Sequence, residues 1–453
     1  MSIAAALFRQ AINHHDSTIH RLPPEILTAM ASHLDDNESL VAATHVCHRW
    51  RSTFLSFPHL WSHVVFSNTQ RALVFLERSR FIPVSVCLPG DDEPLPAVKE
   101  SLKSIAGRLT RLEGGYRRSL DRFLTQPLPL LRDLGLFGSM DEPEKPSMQE
   151  LPSVRSLTTH DLKHPPWLRV ENLTNFRFEL SLTLGIPPVF GRSLLKFLQS
   201  CPLLEVVHLC YGREVHDIEP TTRPETEMVS LPCLRSFTHD SPIDEVDMAL
   251  FDRLSVPPTC DLAFTIVIGD ETPRDRPWTH AFPTPHNLSY ISDIKTVKVM
   301  AGFWNLYAPR PTFRAEFFNS KNARISFTFT QSTGYVNYFA SINLLKFLKS
   351  SGIAHSVETL YLENLDTRAQ TDLAGYLTNL KTLILGPLPY LRGEVDALKM
   401  ARSISVLRQN LYGVPLETVT VISRYIDDLL QECRREIEEL KSYVGSVELV
   451  AEK

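Results

Sequence analysis

The sequence predicts a mixed α/β chain: a small all-helical module at the N-terminus, a body of repeated strand–helix units, and one amphipathic helix at the end. Three observations predict this. Apolar residues recur at helical spacing between residues 22 and 61. The pattern L-x-x-L-x-L, with β-branched substitutes, returns along residues 131–421 with helical stretches between copies. Ile422, Ile426, Leu429, Cys433, Ile437, Leu440 and Val444 then lie three or four apart.

The overall composition fits a folded chain with several structural parts. At 453 residues it is too long for one simple core. Hydrophobic residues make up 43% and charged residues 22%, as in folded globular protein. A formal net charge of -5 argues against nucleic acid as the main partner, because phosphate binding uses a basic surface. No run reaches the ~18 apolar residues of a membrane span, so no membrane partner is expected. The start, MSIAAALFRQAINHH, lacks a basic leader and Arg9 breaks its apolar run, so no secretory signal is expected. The seven cysteines are scattered with no CxxC pair, which reads as reduced thiols in the cytosol or nucleus.

In the helical module, Pro23 and Pro24 set an extended entry and a first helical turn, where a missing N–H costs little. Glu25 suits the positive end of that turn. Ile26, Leu27, Met30 and Leu34 give the helix an apolar face. Asp35-Asp36-Asn37 ends it and offers a cap for the next helix, which Leu40, Val41 and Ala43 begin. Val46, Trp50 and Phe54 lie four apart, on one face of an expected third helix that Pro58 stops. Leu60 and Trp61 follow as a buried anchor. Three short helices in about 45 residues make a core that is marginal alone and gains from a neighbour.

Leu22-Pro23-Pro24-Glu25-Ile26-Leu27, Leu34, Leu40, Val46-Cys47-His48-Arg49-Trp50-Arg51 and Pro58-His59-Leu60-Trp61 together resemble the F-box motif, landmark by landmark and in order. The resemblance covers about a tenth of the chain. It implies that Leu22, Pro23, Pro24, Ile26, Leu27, Leu34, Leu40 and Val46 face a Skp-type adaptor, itself carried on a cullin scaffold. It also implies that Trp50, Leu60 and Trp61 hold the module together.

The body carries Leu131-x-x-Leu134-x-Leu136, Leu204-x-x-Val207-x-Leu209, Ile294-x-x-Val297-x-Val299, Val357-x-x-Leu360-x-Leu362, Leu380-x-x-Leu383-x-Leu385 and Leu416-x-x-Val419-x-Val421. Weaker copies fall at Leu109–Leu112, Val154–Leu157, Leu173–Phe178 and Leu234–Phe237. Helix–strand units share the run LLKFL, in which Leu194, Leu195 and Leu198 match Leu344, Leu345 and Leu348. The drifting spacing is that of an irregular leucine-rich repeat. Stacked units share a continuous core, with parallel strands along one side. The body resembles that of leucine-rich-repeat F-box proteins, though it lacks a regular Asn position. Residues 255–340 alternate like strands with few helices between, and suit a local insertion or a run of short sheet edges.

The expected domains are an N-terminal extension (1–18), the F-box (19–63), a leucine-rich-repeat-like solenoid (64–421), and a capping helix with tail (422–453). A coiled-coil dimer is the alternative use of that last helix. Polar insertions at 89–96, 138–150, 212–228 and 269–287 read as surface loops, with Trp278 a candidate anchor.

No GxGxxG, P-loop, GxSxG or HExxH occurs, so neither catalytic residues nor a cofactor is expected. His45, Cys47 and His48 are expected on one helix, with Cys47 facing away from the two histidines, so no metal site is expected. The resemblance implies a non-catalytic substrate receptor of an SCF-type ubiquitin ligase, which holds a target protein through its repeats. Arg132, His208, Tyr361 and Lys381, beside Asp133, are the candidate target contacts. The alternative is a protein-interaction scaffold outside any ligase.

Overall fold

A computed structural model describes residues 21–34, 36–88, 96–115, 123–124, 126–138, 149–160, 168–180, 190–210, 228–240, 253–268, 293–301, 312–331, 344–349, 351–363, 365, 367–386, 393–423 and 434–451. The N-terminal extension and the whole insertion at 269–287, with Trp278, lie outside the described residues, and the other three polar insertions do so except at their ends. The chain divides into two compact units, Met1–Leu162 with Pro166–Leu173, and Lys163–Pro165 with Thr174–Lys453.

The described part of the first unit starts with helices α1 (Pro24–Ala31), α2 (Asn37–Ala43) and α3 (His48–Ser56) and a 3-10 turn, Pro58–Trp61. Pro23 enters extended and Pro24 takes the first helical turn, as expected. Asp36 caps α2: its Oδ1 accepts from Ser39 N at 2.6 Å. That bond, with a second from the Ser39 hydroxyl, holds the Asp36 carboxyl below its ordinary pKa. Five parallel strands follow, each paired with the next. They are β1 (His63–Val65), β2 (Val84–Leu88), β3 (Leu109–Gly115), β4 (Asp133–Phe137) and β5 (Ser156–His160). Helices α4 (Thr69–Arg78) and α5 (Pro96–Ile105) make the first two crossovers, since parallel neighbours need a long return path. Leu112, Leu134 and Leu157, the central positions of three copies, sit opposite one another and are buried.

The second unit repeats this with β6 (Asn175–Glu179), α6 (Phe190–Gln199), β7 (Val206–Cys210), β8 (Ser236–Asp240) and β9 (Asp261–Ile268), all strands parallel. Phe176, Val207 and Phe237 share one register row. Leu194 and Leu198 on α6 and Leu344 and Leu348 in a second helical segment are fully buried, as the shared LLKFL run predicts.

The expected insertion is a three-stranded antiparallel meander: β10 (Ile294–Ala301), β11 (Thr312–Asn319) and β12 (Arg324–Gln331). In space the order runs β9-β12-β11-β10 and then β13 (Thr359–Glu363). Both β9–β12 and β10–β13 are parallel, so the sheet regains its direction. Asn319 builds the β11–β12 turn by accepting from the backbone N–H groups of Lys321 and Ala323, both at 2.9 Å. Phe264, Phe317, Phe327 and Phe329 are buried beneath it, and Phe264 and Phe327 stack 5.2 Å apart. The unit continues through α7 (Thr367–Tyr376), β14 (Thr382–Leu385), α8 (Gly393–Tyr412) and β15 (Leu416–Ser423) to α9 (Arg434–Lys441) and β16 (Val444–Ala451).

Three expectations are corrected. No helix runs through Ile422 and Val444: Ile422 ends up in β15, α9 is short, and Val444 opens β16, parallel to β15. Val444-x-x-Val447-x-Leu449 is a further copy of the strand pattern, and Val447 takes the same row as Val419, Leu383 and Leu360. Val46 is not on the face of α3. Cys47 is extended and caps that helix, its sulfur accepting from Trp50 N at 3.5 Å, so Val46 lies in the preceding turn. For the same reason His45, Cys47 and His48 do not share a helix: they occupy a turn, a cap and a first helical position.

Candidate partner-binding surfaces

The helical module sorts its apolar residues into two sets. Leu27 and Leu40 are buried within the chain, with Phe54, Leu60 and Trp61. Trp61 Nε1 donates to the Phe54 carbonyl at 2.9 Å, its ring meets Phe75 edge-on at 4.8 Å, and the Arg78 guanidinium lies 4.5 Å over it. Trp50 packs edge-on against Phe54 at 5.5 Å. An Arg49 guanidinium N–H donates to the Leu22 carbonyl and pins the entry to α1. The second set points outward: Ile26 is 47% exposed, Met30 46%, Leu34 38% and Val46 63%. Pro23 and Pro24 are also exposed, and Leu22 is half-buried. Of the expected adaptor-facing residues, Leu27 and Leu40 therefore serve the module's own core. Met30 joins the outward set, and its i, i+4 spacing from Ile26 was the signal for it.

The second surface is the polar face of the second unit's sheet, opposite its buried rows. Here His208 Nε2 lies 3.2 Å from Asp240 Oδ2, and the Thr265 hydroxyl donates to Asp240 Oδ1 at 2.6 Å. The His208 bond first, and the Thr265 bond after it, hold the Asp240 carboxyl below its ordinary pKa. Six strand steps away, roughly 29 Å, the Tyr361 hydroxyl donates to Glu363 at 2.8 Å, and Lys298 Nζ sits 4.6 Å from its ring centre. Lys381 and Lys295 both donate to Glu358 at 3.0 Å. These bonds pull the Glu358 carboxyl down and push the Lys381 ammonium up. Thr296, Thr359, Thr382, Thr418 and Ser446 form one hydroxyl row across five strands. Tyr361 and Lys381 lie on neighbouring strands but in separate clusters, Tyr361 opposite Ile384 and Lys381 opposite Glu358, and His208 stands six strand steps from Tyr361. The partners Asp240, Lys298 and Glu358 escaped sequence reasoning, because only register identifies cross-strand neighbours.

Arg132 belongs to the first unit, exposed beside Asp133 at the start of β4. It lines a notch of about 360 Å³ with Pro129, Leu130, Pro152, Ser153 and Arg155. Among the described residues, no group of three or more His, Cys, Asp or Glu is placed to hold a metal ion. None of the described helices is long and apolar enough to cross a membrane.

Comparison with known families agrees with the helical module: a family described as F-box-like matches residues 19–67. No curated protein matches the chain.

Proposed function

We propose that a chain with an F-box-like segment at 19–67 and a large repetitive body is a substrate receptor of a cullin-based ubiquitin ligase. The observation that carries this is the outward apolar set Ile26, Met30, Leu34 and Val46. It stands on a module whose Leu27, Leu40, Phe54 and Trp61 are buried. Such a patch on a folded surface calls for a partner, and the Skp-type adaptor of F-box proteins is that partner in this reading. The cullin follows through the adaptor.

We read the registered parallel strands as coils of an irregular leucine-rich-repeat solenoid with an antiparallel insertion. The polar strand face then takes the target. Its paired charges suit specificity more than raw affinity. The chain supplies no reacting group. It raises the effective concentration of a target lysine beside a ubiquitin-loaded enzyme. This work belongs in the cytosol or nucleus.

Co-expression with a Skp-type adaptor and size-exclusion chromatography test the reading. The native chain is expected to co-elute one-to-one. An Ile26→Asp/Val46→Asp variant, altered only on the outward set, is expected to lose the adaptor while keeping its melting temperature. A folded native chain that fails to bind overturns the ligase role and leaves a repeat scaffold.

A further inference from the structure

The apolar rows of the second unit lose their burial at the last strand. In β13, β14 and β15 the central core positions are Leu360 and Leu362, Leu383 and Leu385, and Val419 and Val421, and none is more than 2% exposed. In β16, Val447 and Leu449 take the same two rows, yet both are only half-buried. Ile437, on the helix α9 that packs against β16, is half-buried too, and Val450 is 42% exposed. β16 ends the strand order, and β15 is its one strand partner among the described residues. Its outer edge therefore presents backbone N–H and C=O groups beside partly covered apolar side chains.

Folded proteins blunt such edges with proline, lysine, bulges or short strands. β16 is eight residues long, has no proline or lysine, and carries Glu448 as its sole charge. At the other end of the strand order, β1 has three residues and is flanked by α2 and α4. Head-to-tail stacking of two chains would set eight residues against three, so the surface that matches β16 is another β16. Such a contact is isologous. A two-fold axis normal to the sheet makes the two strands antiparallel and keeps their core rows on one side.

Charge and length select the register. An axis through Val447 pairs all of 444–450: Val447 with its own counterpart, Ser446 with Glu448, Gly445 with Leu449, and Val444 with Val450. An axis through Glu448 would set two carboxylates directly opposite, which is destabilising. An axis through Ser446 or Leu449 would pair less of the strand.

We propose that β16 is the docking edge for a second copy of this chain, as a two-fold antiparallel strand pair centred on Val447. The pairing covers Val447, Leu449 and Val450 and carries the core of the second unit from one protomer into its partner. It stands independently of the ligase reading, within which it gives each receptor two target surfaces.

Light scattering on the size-exclusion peak of the full chain, at roughly 100 µM, tests this. The mass of two 51.4 kDa chains is expected. Ser446 is exposed, so a charge there alters the contact and spares the fold. Ser446→Glu meets Glu448 twice across the axis and is expected to raise the dimer Kd about tenfold. Ser446→Lys meets the same two carboxylates and is expected to lower it severalfold. Amides of 444–450 are expected to exchange hydrogen more slowly in the native chain than in Ser446→Glu. A monomeric native chain overturns the proposal. So does a dimer indifferent to both Ser446 variants, or one whose 444–450 amides exchange as fast as in Ser446→Glu, because it then forms through another surface.

Discussion

Arg408 Nη2 donates to the carbonyl oxygen of Leu380 at 2.8 Å, from a side chain with no solvent exposure. The same guanidinium also reaches the carbonyls of Ala374, Leu377 and Thr378. These include acceptors left over where α7 ends at Tyr376. Burial pushes the Arg408 pKa down, yet four carbonyl dipoles face the charge. Arg108 does similar work in the first unit, donating to Ser79 Oγ at 2.9 Å, to the Leu76 carbonyl in the last turn of α4 and to the Ile82 carbonyl beyond its end.

Arg408→Met is therefore expected to destabilise the second unit by about 3 kcal/mol, because it leaves buried carbonyls without donors. Arg408→Lys is expected to recover only part of this, since an ammonium lacks the planar fork. Urea denaturation of the full chain checks both. A Met variant as stable as the native chain would show that the carbonyls find other donors.

Trp61→Phe is expected to cost about 1 kcal/mol, since it keeps an aromatic ring but leaves the Phe54 carbonyl with the Phe57 N–H in place of two donors. Leu27→Ala should cost about 2–5 kcal/mol as a cavity in the module. Both losses are expected to appear as lower melting of the first unit. An adaptor-binding defect in Leu27→Ala without a melting shift would instead place Leu27 at the interface.

Asp240 predicts a pH signature. Its carboxyl titrates below the ordinary 3.8 in the folded chain, so it adds stability above about pH 4 and gives it up as the pH falls through the folded value. Asp240→Asn is expected to flatten the stability profile below about pH 4 and to leave its shape unchanged near neutrality. Parallel acid limbs in native and variant chains, followed by circular dichroism, would remove Asp240 from the account.

Gly445 lies where β16 approaches β15: a Cβ built there meets the Glu417 carbonyl oxygen at 2.7 Å. Gly445→Val should therefore loosen the β15–β16 pairing, and amides of residues 416–423 should exchange hydrogen faster. Unchanged exchange there would mean that the backbone gives way at little cost.

The sequence made the core rows legible because they depend on one residue type recurring at one spacing. Leu112, Leu134 and Leu157, and likewise Leu360, Leu383 and Val419, pair as that spacing demands. The helix starts with proline or aspartate caps were legible too. The Cys47 cap was not, since thiols are weak acceptors and seldom read as caps. The last strand was hidden because Val444 continues the helical spacing of Ile437 and Leu440 and also opens the strand pattern Val444-x-x-Val447-x-Leu449. Arg108 and Arg408 were invisible, because an arginine reads as a wet residue until the carbonyls around it are known. The adaptor-facing list mixed core with surface for a related reason: a motif fixes which residues recur, not which way each one points.

The antiparallel trio also lengthens one step of the sheet's connectivity. Glu358 and Lys381, bonded across an ordinary parallel step, are 23 residues apart in the chain, whereas Asp261 and Arg324, bonded across β9–β12, are 63 apart. Closing the longer loop costs about 0.9 kcal/mol more in chain entropy. A nascent chain can stack β6 to β9 as each leaves the ribosome, but β9 must then wait with a bare edge until β12 has been made. The middle of the second unit is thus expected to pair later than the strands before it, which leaves the edge of β9, backed by Phe264, bare for longest.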